Sequence, residues 1–145
     1  MIRGRYGDTT GRPYFEGRLF LPRLKIVALI SFLADTGADQ TTIMPLDGAK
    51  AAIPYGALRN PHVAVGIGGE ARSFAEIAVL TFAHPGVALY SYEFRISIIA
   101  PSPAIMRVPS LLGRDVMDNW NMRVDPLRKI LTASVRRSDL ITRLK

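Results

Sequence analysis

Short apolar segments dominate the pattern of hydrophobic and polar positions along this chain. They are rich in Val, Ile, Phe and Tyr and are separated by clusters of Gly, Pro, Asn and Asp, which is typical of strands joined by turns. The predicted strands are Tyr14–Pro22, Lys25–Ala34, Thr41–Met44, His62–Gly66, Glu70–Phe82, Leu89–Ala100, Met122–Asp125 and Lys129–Ser134. We therefore expect a mainly β protein.

One segment near the C-terminus has helical spacing instead. Leu112, Val116 and Trp120 recur at every fourth position, and Asp115 falls in the expected first turn, where the helix dipole favours an anion. This spacing predicts one short C-terminal helix. A second local pattern, an apolar run from Val63 that leads into a glycine-rich tip and a polar return, predicts a β-hairpin.

The composition fits one globular domain spanning residues 1–145. The chain has 145 residues, of which 48% are hydrophobic, and it contains no internal repeat or linker-like tract. It has no Cys and only two His, His62 and His84, which are 22 residues apart. These counts exclude a disulfide scaffold, a thiolate metal site and a cysteine nucleophile, and they argue against a zinc site. We expect no metal ligands. Serine hydrolase chemistry is also disfavoured, because no Gly-x-Ser-x-Gly motif occurs.

The net charge of +7 is concentrated at the two ends of the chain. Residues 1–25 carry +4 and residues 123–145 carry +5, whereas residues 26–122 carry −2. We interpret the ends as solvated basic segments around a core at about 14–134. A nucleic acid or an anionic surface is an alternative partner for these basic ends, although no aromatic residue is interleaved with Arg136, Arg137, Arg143 and Lys145. The longest apolar run, Ile26–Ala34, is too short to span a membrane, so a cytoplasmic location is expected.

The strongest candidate for chemistry is the segment Asp35-Thr36-Gly37, which follows the apolar strand ending at Ala34. A carboxylate at the end of a buried strand is costly unless its oxygens are hydrogen-bonded, and a glycine two residues later lets backbone N–H groups approach it. The triplet alone leaves open an ordinary Asx turn after a core strand.

Two further motifs make the pattern specific. Gly66-Ile67-Gly68-Gly69 occupies the hairpin, and Leu111-Leu112-Gly113-Arg114-Asp115 leads into the predicted helix. Together with Asp-Thr-Gly-Ala-Asp at 35–39, and in this order, these motifs resemble the retroviral-type aspartic proteases, the retropepsins. The resemblance covers about residues 14–134 and implies a retropepsin-like half-barrel that forms a two-fold dimer.

The resemblance also implies roles for the residues of the first motif. Asp35 would be the catalytic aspartate, Thr36 would hydrogen-bond across the subunit interface, and Gly37 would contact the substrate backbone. Ala38 and Asp39 would line the substrate site. Ala38 stands where pepsin-like relatives carry Ser or Thr, which predicts an activity optimum at a less acidic pH than that of pepsin. Only one such motif exists in this chain, so the second carboxylate would come from a second copy.

The other two motifs receive roles in the same way. Gly66, Ile67 and Gly68 would form a substrate-binding flap with Ile67 at its tip, and Asp39 and Arg114 would form a structural ion pair. Arg18 would reach Asp39 across the dimer. The implied activity is peptide hydrolysis by water activated between two Asp35 carboxylates that share a proton, with a peptide or protein as substrate and no cofactor.

Two alternatives remain at this stage. A retropepsin-fold dimer could serve as a non-catalytic binding or assembly module, because fold does not determine function. The segment Gly66–Ala71 also satisfies a loose dinucleotide-binding pattern with Glu93 downstream. That second alternative is weak, since about 75 residues remain after it and no helical stripe follows.

Overall fold

Strands account for most of the regular structure in the computed structural model, which describes residues 1–66 and 69–145. In chain order the elements are β1 Ile2–Arg3, β2 Arg5–Tyr6, β3 Pro13–Leu21, β4 Ile26–Ala34, β5 Thr42–Ile43, α1 Pro45–Lys50, β6 Pro61–Gly66, β7 Gly69–His84, β8 Ala88–Ile99, β9 Leu111–Leu112, α2 Arg114–Met117, β10 Trp120–Asp125, β11 Ile130–Val135 and β12 Leu140–Arg143. Short 3-10 turns lie at Tyr55–Ala57 and Pro103–Ile105. The expectation of a mainly β protein is confirmed.

The larger sheet closes into a barrel. Its strand order is β12-β8-β5-β9-β4-β3-β7-β6, and β7 pairs with β8 as well as with β3. The pairings β8-β5-β9-β4-β3-β7-β8 therefore form a closed circuit, which leaves β12, β6 and β2 outside it; β2 pairs with β3. A separate three-stranded sheet has the order β1-β11-β10.

Alternation along the strands fills the barrel. In β3, Phe15, Leu19 and Leu21 are fully buried, whereas Glu16 and Arg18 between them are exposed. This period of two is what places one face of a strand inside a barrel. The β-branched and aromatic residues that predicted these strands are in the same segments that form the core. One set of side chains therefore accounts for both the strands and the core.

An aromatic cluster joins the barrel to the small sheet. The Trp120 ring lies 5.2 Å from that of Phe15 and 4.9 Å from that of Phe82, both edge to face. Its Nε1–H donates to the Tyr92 hydroxyl at 2.8 Å, and that hydroxyl donates to the Arg137 carbonyl at 2.9 Å. The cluster thereby ties β10, β8 and the C-terminal segment together.

The predicted C-terminal helix is wrong at both ends. α2 covers only four residues, while Leu112 lies in β9 and Trp120 begins β10. Leu112, Val116 and Trp120 are all buried in the core, but they belong to three different elements. Their spacing of four residues therefore matches that of a helix although no single helix contains them. A further helix, α1, was not predicted; it begins at Pro45, which suits the first position of a helix.

The basic side chains at both ends are exposed, as expected for solvated segments, but the backbone of both ends belongs to the sheets. β1 pairs with β11 and places Ile2, which is 2% exposed, in the core, and β12 pairs with β8 through residues 140–143. Strand pairing therefore fixes both ends of the chain. No helix within residues 1–66 and 69–145 is long and apolar enough to cross a membrane.

We expect Tyr92→Phe to destabilise the protein by about 1–3 kcal/mol at pH 7, because Trp120 Nε1–H and the Arg137 carbonyl lose their shared partner. Burial raises the pKa of the Tyr92 hydroxyl above its usual value of 10.0. The folded state therefore holds that proton more tightly, and stability should fall as the pH rises above about 10. Urea unfolding at pH 7 and at alkaline pH measures both effects.

The matched control is Tyr14→Phe, whose hydroxyl has no hydrogen-bond partner among the described residues. This variant should match the wild type at both pH values. If Tyr92→Phe showed the same stability and the same alkaline decline as the wild type, the bridging role of Tyr92 would be wrong.

Candidate active site

Asp35 lies immediately after β4, at the point where that strand pairs in parallel with β9. Leu33 N–H donates to the Ser110 carbonyl at 2.8 Å, and Asp35 N–H donates to the Leu112 carbonyl at 3.1 Å. The mainly apolar run from Ile26 to Phe32 forms this strand, and the following Asp-Thr-Gly ends it. Two backbone hydrogen bonds thus fix the end of β4, including Asp35, against β9.

The carboxylate of Asp35 is held in an Asx turn. Gly37 N–H donates to Asp35 Oδ1 at 2.9 Å, and Ala38 N–H donates to the Asp35 carbonyl at 3.1 Å. No other hydrogen bond to the carboxylate is found among the described residues. Asp35 is half-buried while Thr36 and Gly37 are exposed, so the loop presents its polar atoms to the outside. The Asx turn that the sequence left as an alternative is present, and it is compatible with a chemical role.

The loop continues into backbone contacts with α2. Arg114 N–H donates to the Ala38 carbonyl at 2.8 Å, and Asp115 N–H donates to the Asp39 carbonyl at 3.3 Å. The Arg114 guanidinium also contacts the Asp39 carboxylate. The hydrogen bond to Asp39 raises the pKa of Arg114, which stays positively charged. The structure therefore brings Asp39 and Arg114 together, as the sequence analysis expected.

This ion pair is a weak source of stability because both side chains are largely in water. Asp39 is 77% exposed and Arg114 is 51% exposed. Exposed pairs of this kind contribute about 0–1 kcal/mol, since water screens the attraction and two long side chains lose freedom. Another contact must fix the loop.

Thr41 supplies that contact and was missed by the sequence analysis. Its side chain is fully buried, and its hydroxyl donates to Asp115 Oδ1 at 2.6 Å while its N–H donates to Asp115 Oδ2 at 2.9 Å. The hydroxyl also accepts the Gly113 N–H at 3.0 Å. Asp115 was expected to act on the helix dipole, but its carboxylate receives both Thr41 donors instead. A polar residue at the start of an apolar strand was the available signal.

Glycine is required at position 113 by close approach. A Cβ there would lie 2.5 Å from the backbone carbon of Gln40 and 2.8 Å from its carbonyl oxygen. Those are backbone atoms, which cannot rotate away. The Leu-Leu-Gly part of the third motif therefore has a packing reason, namely that it lets β9 and α2 touch the loop after Asp35.

Ser110 makes a second internal tie. Its buried hydroxyl accepts Met44 N–H at 2.9 Å and donates to Asp47 Oδ2 at 2.6 Å. It thereby connects α1 to the strand pair that carries Asp35. Both Ser110 and Thr41 are buried hydroxyls with satisfied partners, which is the condition for burying such groups without penalty.

The glycine hairpin extends from the barrel. β6 and β7 pair antiparallel from Pro61 opposite Phe74 to Gly66 opposite Gly69. Ile67 and Gly68, the predicted flap tip, lie outside the described residues. The second strand of this hairpin is the same strand, β7, that closes the barrel against β3 and β8.

Arg18 lies on β3, with its side chain exposed on the outer face of the barrel. In the register of β3 and β4, Arg18 is opposite Leu29, whereas Tyr14 is opposite Leu33 near the Asp35 loop. The contact expected between Arg18 and Asp39 joins two copies of the chain, so it stays a prediction.

No protein-family model matches this chain, and no curated protein matches its sequence. Solved structures do match its fold. A retropepsin-like aspartic protease from Rickettsia conorii aligns with a TM-score of 0.55 and 17% identity, covering 92% of this chain and 88% of that one. This chain has a retropepsin-like fold. EIAV protease complexed with the inhibitor HBY-793 aligns with a TM-score of 0.50 and 18% identity, covering 77% of this chain and 90% of that one.

We expect Thr41→Val to destabilise this retropepsin-like fold by about 1–3 kcal/mol, because Gly113 N–H and Asp115 Oδ1 lose a buried partner. Arg114→Gln should cost less than Thr41→Val, because its ion pair is exposed. Urea unfolding gives both values.

Thr42→Val is the matched control, since the Thr42 hydroxyl makes only an exposed hydrogen bond to the Gln40 carbonyl. It should change stability by less than Thr41→Val does. The reverse order, with Arg114→Gln costing more than Thr41→Val, would show that the outer ion pair fixes the loop.

Proposed function

We propose that this protein is an aspartic endopeptidase that acts as a homodimer, with Asp35 of each copy forming the catalytic dyad. The observation that carries the proposal is the Asp35 loop on a retropepsin-like fold. A half-buried carboxylate stands at a strand end, is hydrogen-bonded at one oxygen by Gly37 N–H, and is fixed from beneath by β9 and α2.

A second copy is required by the chemistry. The chain contains one Asp-Thr-Gly motif, and hydrolysis by this route needs two carboxyl groups in different protonation states. Two carboxyls within hydrogen-bond distance do not both ionise readily, so the pair holds one proton between them. A two-fold axis beside the Asp35 loop would supply that pair from two identical loops.

The proposed reaction follows from this shared proton. The ionised carboxylate takes a proton from a water molecule, and the water oxygen attacks the peptide carbonyl carbon. The protonated carboxyl donates to the carbonyl oxygen and neutralises the charge that develops there. Collapse of the tetrahedral intermediate breaks the C–N bond as a proton passes to the leaving nitrogen. The nucleophile is water, so the proposal requires no covalent intermediate with the enzyme.

The exposed loop residues have separate proposed roles. Gly37, Ala38 and Asp39 would lie along the substrate backbone, and Thr36 would hydrogen-bond between the two loops. An added Cβ at Gly37 would meet only Asp35 Oδ1, at 3.2 Å, so glycine leaves the outer side of the loop open to an approaching chain. The β6–β7 hairpin would cover the substrate from the opposite side through Gly66, Ile67 and Gly68.

We expect Asp35→Asn to lower kcat/KM on a peptide library by at least about a thousandfold, because the amide cannot act as a base. The measurement compares purified wild type and variant from acid to neutral pH, with molecular mass determined at the assay concentration. Asp118→Asn is the control, as it removes the same charge from an exposed residue of α2's C-cap. Cleavage that survives Asp35→Asn would exclude the dyad. A dimeric wild type that cleaves nothing at any pH would favour a non-catalytic binding module.

Mixing the two proteins tests whether the dyad spans two chains. With nine parts of Asp35→Asn to one part of wild type, most wild-type chains pair with a variant, so activity per wild-type chain should fall by about tenfold. Activity is followed after the mixture has equilibrated. Asp118→Asn at the same ratio should not inhibit. Full activity in the Asp35→Asn mixture would mean that one chain contains a complete site.

A further inference from the structure

A basic cavity lies beside β7, where the barrel wall is interrupted. The register pairs β3 with β7 at Val79–Thr81, and it pairs β6 with β7 up to Phe74 opposite Pro61. Residues 75–78 of β7 therefore lack a strand on this edge within the described register. A cavity of about 280 Å³ occupies the gap, and three arginines line it.

The floor of the cavity is an ion pair between the buried Glu76 and the partly exposed Arg23. Glu76 is 5% exposed, and Arg23 donates from Nε to both of its oxygens at 3.2 Å and from Nη2 to Oε1 at 2.5 Å. Arg23 Nη2 also donates to the Ala57 carbonyl at 2.9 Å. The two charges cancel each other, so this pair fixes the shape of the floor and adds no net charge.

The rim carries the net charge. Arg59 and Arg95 are exposed lining residues, and neither forms an ion pair within the described part of the chain. The cavity therefore holds two uncompensated positive charges in a central region of the sequence that is net negative. Asn60 contributes an amide to the lining, and Pro22 and Ile77 contribute an apolar edge.

We propose that this cavity binds a phosphate-type dianion between Arg59 and Arg95. Guanidinium groups bind phosphate oxygens through paired N–H donors, and a dianion matches the two uncompensated charges. The ligand is either free phosphate or a phosphoryl group on a larger molecule, whose organic part would contact Ile77. Arg59 precedes β6 and Arg95 lies on β8 opposite Ile77, so a bound anion would tie the base of the glycine hairpin to the barrel.

The site does not involve Asp35, so its test is independent of peptidase activity. Titration calorimetry with inorganic phosphate, at an ionic strength held constant with chloride, should show saturable binding to the full chain. Arg59→Gln and Arg95→Gln should each weaken that binding by about tenfold to a hundredfold, since each removes charge-assisted hydrogen bonds. Arg123→Gln removes the same charge from an exposed position on β10 and should bind like the wild type.

Phenyl phosphate distinguishes the two ligand sources. Tighter binding than that of inorganic phosphate would assign the site to a phosphoryl group on a larger molecule, whereas equal or weaker binding would assign it to the free anion. No saturable binding of either compound, or equal affinity in Arg59→Gln, Arg95→Gln and Arg123→Gln, would overturn the proposal. Both test residues are exposed, so circular dichroism should confirm that the variants fold.

Discussion

The contact between the loop after β4 and the segment from β9 to α2 is the constraint on which the candidate site depends. A charged side chain at the end of a buried strand has to stay near the surface while its backbone stays fixed. Here the backbone is fixed by bonds from Leu33 and Asp35 to β9 and by bonds from Arg114 and Asp115 back to the loop. The buried Thr41 adds hydrogen bonds with Asp115 and Gly113.

The buried and exposed parts of this contact contribute differently to holding the loop. Thr41 is fully buried, and its hydrogen bonds to Asp115 and Gly113 are part-buried or buried, so an unpaired hydroxyl there is costly. Asp39 and Arg114 meet in water, where their attraction is screened. Within the motifs, Gly113 and Asp115 thus hold the loop through Thr41, whereas the exposed pair of Asp39 and Arg114 contributes less. The Thr41 hydroxyl is neutral, so the charge pattern of the sequence did not indicate its role.

The parts of the fold that the sequence predicted are those with a local cause. Alternation between buried and exposed residues in β3 and the apolar run in β4 each follow from side chains within one strand. The errors have non-local causes. Leu112 and Trp120 were assigned to a helix because the core collects their side chains from separate elements, and β1 and β12 were missed because their partners lie more than 40 residues away. The Asp35 loop was predicted from its motif, whereas Thr41 and Ser110 depend on contacts 63 to 74 residues apart.

The strands at the chain ends change where a second copy could bind. β1 pairs with β11 and β12 pairs with β8 within one chain, so both basic ends already have strand partners. The proposed dimer therefore does not need to collect those two strands from its partner. Its central contact would bring two Asp35 loops together, and each loop contributes a carboxylate. A close pair of carboxyls binds one proton more tightly than either carboxyl does alone, so formation of the dyad would take up a proton. The proposed association is therefore favoured as the pH falls toward the range where carboxyls titrate.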